Sequence, residues 1–201
     1  MPSKPVKTRK KSAPSAPIYQ IKLTLKGSKP AIWRRVLVPA DIPLDFLDHL
    51  IQAAMGWTNS HLHQFIIGTG AATRYLGSHE YDLPEFEIED ETEFSLANLA
   101  PAPKNKFQYE YDLGDSWLHE ILVEKILPPD PAMRHPVCTA GKNACPPEDC
   151  GGIYGYYDVL KALADPKHLD HDSWSEWMNR DFDPAEFSMD AVNSKLKRIQ
   201  C

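Results

Sequence analysis

Lys106-Phe-Gln-Tyr-Glu-Tyr-Asp-Leu-Gly-Asp-Ser-Trp-Leu-His-Glu-Ile-Leu-Val-Glu-Lys-Ile-Leu127 decides the fold. Two alternating runs, Lys106 to Asp112 and Trp117 to Leu127, flank Gly114-Asp115-Ser116, which is turn chemistry. This predicts an antiparallel hairpin. In the second strand Trp117, His119, Ile121 and Val123 share one face, and Leu118, Glu120, Leu122 and Glu124 share the other. His119 therefore falls on the apolar side, where an imidazole needs a partner.

Moving towards the N-terminus, Tyr19 to Lys26 alternates with period two. Gly27-Ser28-Lys29-Pro30 turns the chain, and Ile32 to Val38 forms the second strand of another hairpin. A helix is expected from about Pro43 to Met55, capped by Asp41 and stopped by Gly56. Leu44, Leu47, Leu50, Ile51, Ala54 and Met55 make its buried stripe, while Asp45, Asp48 and Gln52 are assigned to the outer face. His61 to Ile67 reads as a strand that turns at Gly68-Thr69-Gly70. Residues 80–93 hold eight acids and read as a solvated excursion, followed by a short helical turn at Ser95 to Leu99.

After Pro128-Pro129 the chain reads as irregular through its cysteines. Helices are expected at Tyr156 to Ala164, Leu169 to Met178 and Met189 to Ile199, the last capped by Ser188, with a further helical start at Asp183-Pro184. Strands fill the first two thirds and helices the last third. The fold class is α+β: a largely antiparallel sheet, one helix after the first hairpin and a C-terminal helical cluster. At 201 residues the chain is expected to be a disordered basic tail, 1–17, and one domain, 18–201.

Composition narrows the classes. No stretch approaches 18 uninterrupted apolar residues, and Met1 to Pro17 lacks the apolar segment of a secretory signal, so no membrane partner is expected and a cytoplasmic location is. The net charge of −6 conceals a split: residues 1–40 carry ten Lys/Arg and no acid, and the rest carries 12 Lys/Arg against 28 Asp/Glu. A basic arm and first hairpin of this kind can contact nucleic-acid phosphates, or simply solubilise an acidic body.

The groups that bind metals or move protons lie in three short stretches: His61-Leu62-His63, Tyr111 to His119, and Cys145-Pro-Pro-Glu-Asp-Cys-Gly-Gly152. Two His at i, i+2 on a strand project side by side. His61, His63, Asp112, Asp115 and His119 are thus candidate catalytic groups, as a metal or acid–base cluster or as a hydrogen-bonded network that pins the turn. Cys138, Cys145 and Cys150, with His135 nearby, could hold a structural zinc or stay as buried thiols. Gly151-Gly152 could cradle an anion at a helix start. Yet Glu148 and Asp149 repel phosphate, and no P-loop lysine follows, so a cation fits better. Ser116 lacks the Gly-x-Ser-x-Gly frame of an acyl-transfer nucleophile.

Four ordered strings carry a resemblance: Ile32-Trp-Arg-Arg35, Met55 to Phe65, Tyr109 to His119 and Cys145 to Gly152. From Tyr19 to Leu196 the chain resembles the plasmid pRiA4b ORF-3-like family, whose members carry mobile-element passenger or resolvase-like labels. The resemblance implies an accessory protein of plasmids or mobile elements, and the basic excess in residues 1–40 makes nucleic acid the first expected partner. The alternative expectation is a metal-dependent hydrolase or nuclease built on the His/Asp cluster, with Zn, Mn or Fe as its metal.

Overall fold

The protein is described here by a computed structural model covering residues 16–78, 88–178 and 182–199. The expected tail, apart from Ala16 and Pro17, and most of the acidic excursion lie outside these residues. Ala16 is itself buried, and Pro17 accepts a hydrogen bond from the Ala40 amide.

The alternating runs become strands β1 (Ile18–Leu25) and β2 (Trp33–Pro39), paired antiparallel from Ile18↔Pro39 to Thr24↔Trp33. Helix α1 (Leu44–Met55) follows. Pro43, not Asp41, occupies its N-cap, where a fixed φ of −61° suits the helix entry. Gly56 ends it with φ of 106°, a conformation open to glycine. Strands β3 (His63–Ile67), β4 (Arg74–Gly77) and β5 (Ile88–Asp90) come next, then the one-turn helix α2 (Leu96–Leu99). The hairpin β6 (Lys106–Tyr111) and β7 (Trp117–Leu127) forms as expected, closing on the pair Tyr111↔Trp117.

The segment after Pro128-Pro129 contains a strand the local pattern did not reveal. This strand, β8 (Val137–Lys142), pairs with β2. Its Ala140 and Gly141 have little strand propensity of their own, and the β2 edge supplies the pairing. Three helices close the chain: α3 (Gly152–Ala164), α4 (His171–Trp177) and α5 (Met189–Leu196), the last with Ser188 Oγ accepting from the Ala191 amide. Asp183-Pro184 begins a turn rather than a helix, held by the Ala185 amide on Asp183 Oδ1.

All eight strands form one sheet in the order β5-β4-β3-β6-β7-β1-β2-β8, antiparallel except for β4–β5. The class is α+β. Strand β7 lies between β1 and β6, so the two hairpins become one surface. Its face of Trp117, His119, Ile121 and Val123 is buried with Ile21, Leu23, Phe65 and Tyr109 under α1. The outward assignment of Asp48 and Gln52 is overturned: they are 1 % and 3 % exposed. Both share a helical face with Leu44, Ile51 and Met55 at three- and four-residue spacing, so packing α1 on the sheet takes them down too. Among the described residues, no helix is long and apolar enough to cross a membrane.

Candidate functional site

The register of β3 against β6 starts the site. His63 pairs with Tyr111, and the Asp112 amide donates to the Leu62 carbonyl at 2.8 Å, which sets His61 beside the β6–β7 turn. Asp112 is fixed within that turn: its Oδ1 accepts from the Gly114 and Asp115 amides at 3.1 and 3.3 Å. The other oxygen, Oδ2, lies 3.8 Å from His61 Nδ1.

A third loop arrives from the cysteine segment. Trp57 Nε1 donates to the Pro146 carbonyl at 2.9 Å, and the Trp57 ring stacks on Tyr111. Glu148 is a clamp, taking the Thr58 amide at 3.0 Å, the Thr58 hydroxyl at 2.7 Å and the Tyr111 hydroxyl. That hydroxyl in turn accepts from the Ser60 and His61 amides. The Gly151 amide donates to Asp115 Oδ2 at 3.0 Å, so the anion at the start of α3 is the chain's own carboxylate. These ties leave Asp149 Oδ1 3.1 Å from His61 Nε2.

His61, Asp112 and Asp149 each present one ligand atom within 4.8 Å of the others, the one such group of three among the described residues. Asp112 and Asp149 both hold left-handed backbone, with φ of 56° and 60°. Asn59 and Ser116, in two of the same loops, do so as well. L-residues rarely adopt this region, although Asp and Asn tolerate it best. Asp149 is 68 % exposed, so the group opens to solvent.

The other predicted residues lie elsewhere. Asp115 anchors α3 as described. His63 belongs to a separate buried network under α1, with Nε2 2.7 Å from Glu91 Oε2 and Nδ1 3.4 Å from Asp48 Oδ1. Burial alone would lower its pKa, but the Glu91 hydrogen bond and the Asp48 and Glu91 charges raise it overall. Asp48 is itself raised, chiefly by burial. Tyr109 closes this network, donating to Asp48 Oδ1 at 2.5 Å and accepting from Gln52 Nε2 at 2.8 Å. His119 is wholly buried against the rings of Trp57 and Tyr109, its Nδ1–H donating to the Trp117 carbonyl at 2.9 Å. Burial, against that hydrogen bond, lowers its pKa to about 4.

Local sequence did not single out the Asp48, Glu91, Tyr109 and Gln52 network. The i, i+4 spacing of Asp48 and Gln52 on the apolar stripe was the available signal. Cys138, Cys145 and Cys150 do not converge as a ligand triad in this structure, and His135 Nδ1 faces the Pro136 carbonyl. All three thiols are free. Burial raises each of them, Cys150 to about 12, which keeps them protonated near neutrality. The basic first hairpin is partly spent: Arg34 is buried, Arg35 pairs with Glu124 at 2.5 Å, and both Lys22 and Arg35 lie over the Trp33 ring.

Fold and site together define an open-faced α+β protein whose three chemistry-bearing loops meet at one sheet end. A family model described as plasmid pRiA4b ORF-3-like protein matches residues 17–191, and the chain belongs to that family. An uncharacterized protein, y4hQ of Sinorhizobium fredii, is 35% identical over 185 residues, covering 90% of this chain and 91% of the relative. A crystal structure of a protein of unknown function, MM3350 from Methanosarcina mazei Go1, superposes with a TM-score of 0.79 at 35% identity. That match covers 88% of this chain and 96% of the other.

Proposed function

We propose that this chain is a metal-dependent hydrolase whose divalent cation is held by His61, Asp112 and Asp149. The observation that carries the reading is their convergence within 4.8 Å from three separate loops. Three protein ligands with a side open to water is the arrangement of catalytic rather than structural metal sites. One imidazole with two carboxylates suits Mn²⁺, Fe²⁺ or Zn²⁺. A cation held this way lowers the pKa of a bound water and so supplies a nucleophile near neutral pH. The chain's own part is positioning. Asp112 is pre-oriented by its turn, Glu148 holds the loop that carries His61, and Asp115 ties the hairpin turn to α3.

The carboxylates of Asp115 and Glu148 near the triad favour a neutral or cationic substrate over a phosphodiester. For that reason, and because Arg34 and Arg35 are engaged within the protein, the accessory role with nucleic acid as partner ranks second.

Equilibrium dialysis with Zn²⁺ and Mn²⁺, followed by elemental analysis, tests the proposal. Near-stoichiometric uptake is expected, weakened at least about tenfold by His61→Ala and unchanged by His119→Leu. Hydrolysis of a panel of neutral chromogenic esters and amides should vanish on chelation. Uptake that is absent, or indifferent to His61→Ala, overturns the metal centre; uptake without metal-dependent hydrolysis overturns the enzyme.

A further inference from the structure

A second candidate site, argued independently of the metal proposal, lies at the C-terminal end of α1. Arg34 is 3 % exposed and still has no carboxylate partner among the described residues. Its Nε donates to the Ala54 carbonyl at 3.1 Å, and Nη1 donates to the Trp33 and Lys142 carbonyls at 2.9 and 3.0 Å. The Phe187 ring covers the guanidinium, with its centroid 4.6 Å from the central carbon. No hydrogen bond engages Nη2 among the described residues.

A guanidinium cannot shed its proton, and buried charges are ordinarily matched by an opposite charge. Cys138 and Cys145, whose sulfurs act electrostatically on Arg34, are thiols held protonated by burial, so they supply no anion near neutrality. Three carbonyls and a ring solvate this cation without neutralising it.

Arg34 forms part of the wall of a cavity of about 200 Å³ between the end of α1 and the flank of α5. Lys195 is in the same wall, its Nζ 3.4 Å from the Gly56 carbonyl, and Ser188 adds a hydroxyl. Glu186 is the acid of the lining. Two cations against one carboxylate leave a single positive charge, which suits a monoanion better than a phosphate dianion. The volume falls below that of pockets for drug-sized molecules. With Nε and Nη1 taken by carbonyls, Nη2 is the guanidinium nitrogen left to donate to a carboxylate oxygen.

We infer that the cavity walled by Arg34, Lys195 and Ser188 binds a small monocarboxylate. The carboxylate supplies the counter-charge that the protein withholds from Arg34, and Ala191 and Val192 of α5 offer apolar wall to a short aliphatic tail.

Calorimetric titration of the full chain with propionate, and separately with inorganic phosphate at matched ionic strength, tests this. Saturable one-to-one propionate binding is expected, with phosphate weaker. Lys195→Ala should weaken propionate about tenfold, the loss of one charge-assisted contact. Ala191→Phe, at an exposed position of α5 that lines the cavity, should abolish it. Both variants spare Arg34, whose carbonyl contacts hold α1 to the sheet, so folding does not confound the result. No saturable binding, a preference for phosphate, or propionate binding that survives both substitutions overturns the inference.

Discussion

His119 carries a measurable consequence of its burial. Its folded pKa of about 4 lies below the ordinary 6.5, so the unfolded chain binds a proton that the folded chain refuses. Stability from keeping this imidazole neutral is therefore present above pH 6.5 and is lost as pH falls towards 4. The full effect is roughly 3 kcal/mol for a group sealed from water. Chemical denaturation at pH 7, 6, 5 and 4 should show this slope in the wild type and a shallower one in His119→Leu; equal slopes would refute the assignment. Asp149 makes a different prediction. With φ of 60° and one ion-pair partner, Asp149→Gly removes a side chain from left-handed backbone, where an L-residue costs about 1 kcal/mol. Metal-free protein should keep its stability or gain up to about 1 kcal/mol, by thermal melting, while cation uptake falls.

Between elements, the β6–β7 turn and the start of α3 meet main chain to main chain. A Cβ on Gly152 would lie 2.2 Å from the Asp115 carbonyl oxygen, and its φ is 66°. The position has no room and the wrong backbone for anything larger. Gly152→Ala should cost about 2–4 kcal/mol in urea unfolding, combining left-handed strain with the clash. Because the displaced turn carries Asp112 and the displaced helix start follows Asp149, cation affinity should fall with it. Unchanged affinity would mean that this junction does not position the ligands.

Across the whole molecule, α1 is pinned to the sheet by a polar network as well as by its apolar stripe. Tyr109 is its central member, bonded to Asp48 and Gln52 in a fully buried setting. Tyr109→Phe leaves a buried carboxylate and a buried amide each short of a partner, at a cost of about 2–4 kcal/mol. The loss should be smaller in Asp48→Asn/Tyr109→Phe than the two single losses added, since the pair is coupled. Strict additivity in denaturant titrations would show that the helix and sheet are held by apolar contact alone. The folded chain holds the His63 proton more tightly than the unfolded one, so that contribution weakens as pH rises through the folded His63 transition, and Asp48, raised chiefly by burial, loses its own contribution separately as it ionises.

Local pattern was enough for β1, β2, β6, β7 and α1, because alternation and 3.6-residue spacing are properties of a short segment and survive in any context. It also marked the three loops that supply the candidate site, since His, Asp and Gly at turns are conspicuous before folding. Tertiary structure alone decided the membership of the site. His61, Asp112 and Asp149 are brought together by the β3–β6 register and the Glu148 clamp, while His63 and His119, equally prominent in sequence, are drawn beneath α1 and between aromatic rings. The same holds for β8, whose residues become a strand only because β2 offers an open edge. Side-chain period says which face a residue occupies; which distant residues share that face is settled only when strands pair and loops are tied.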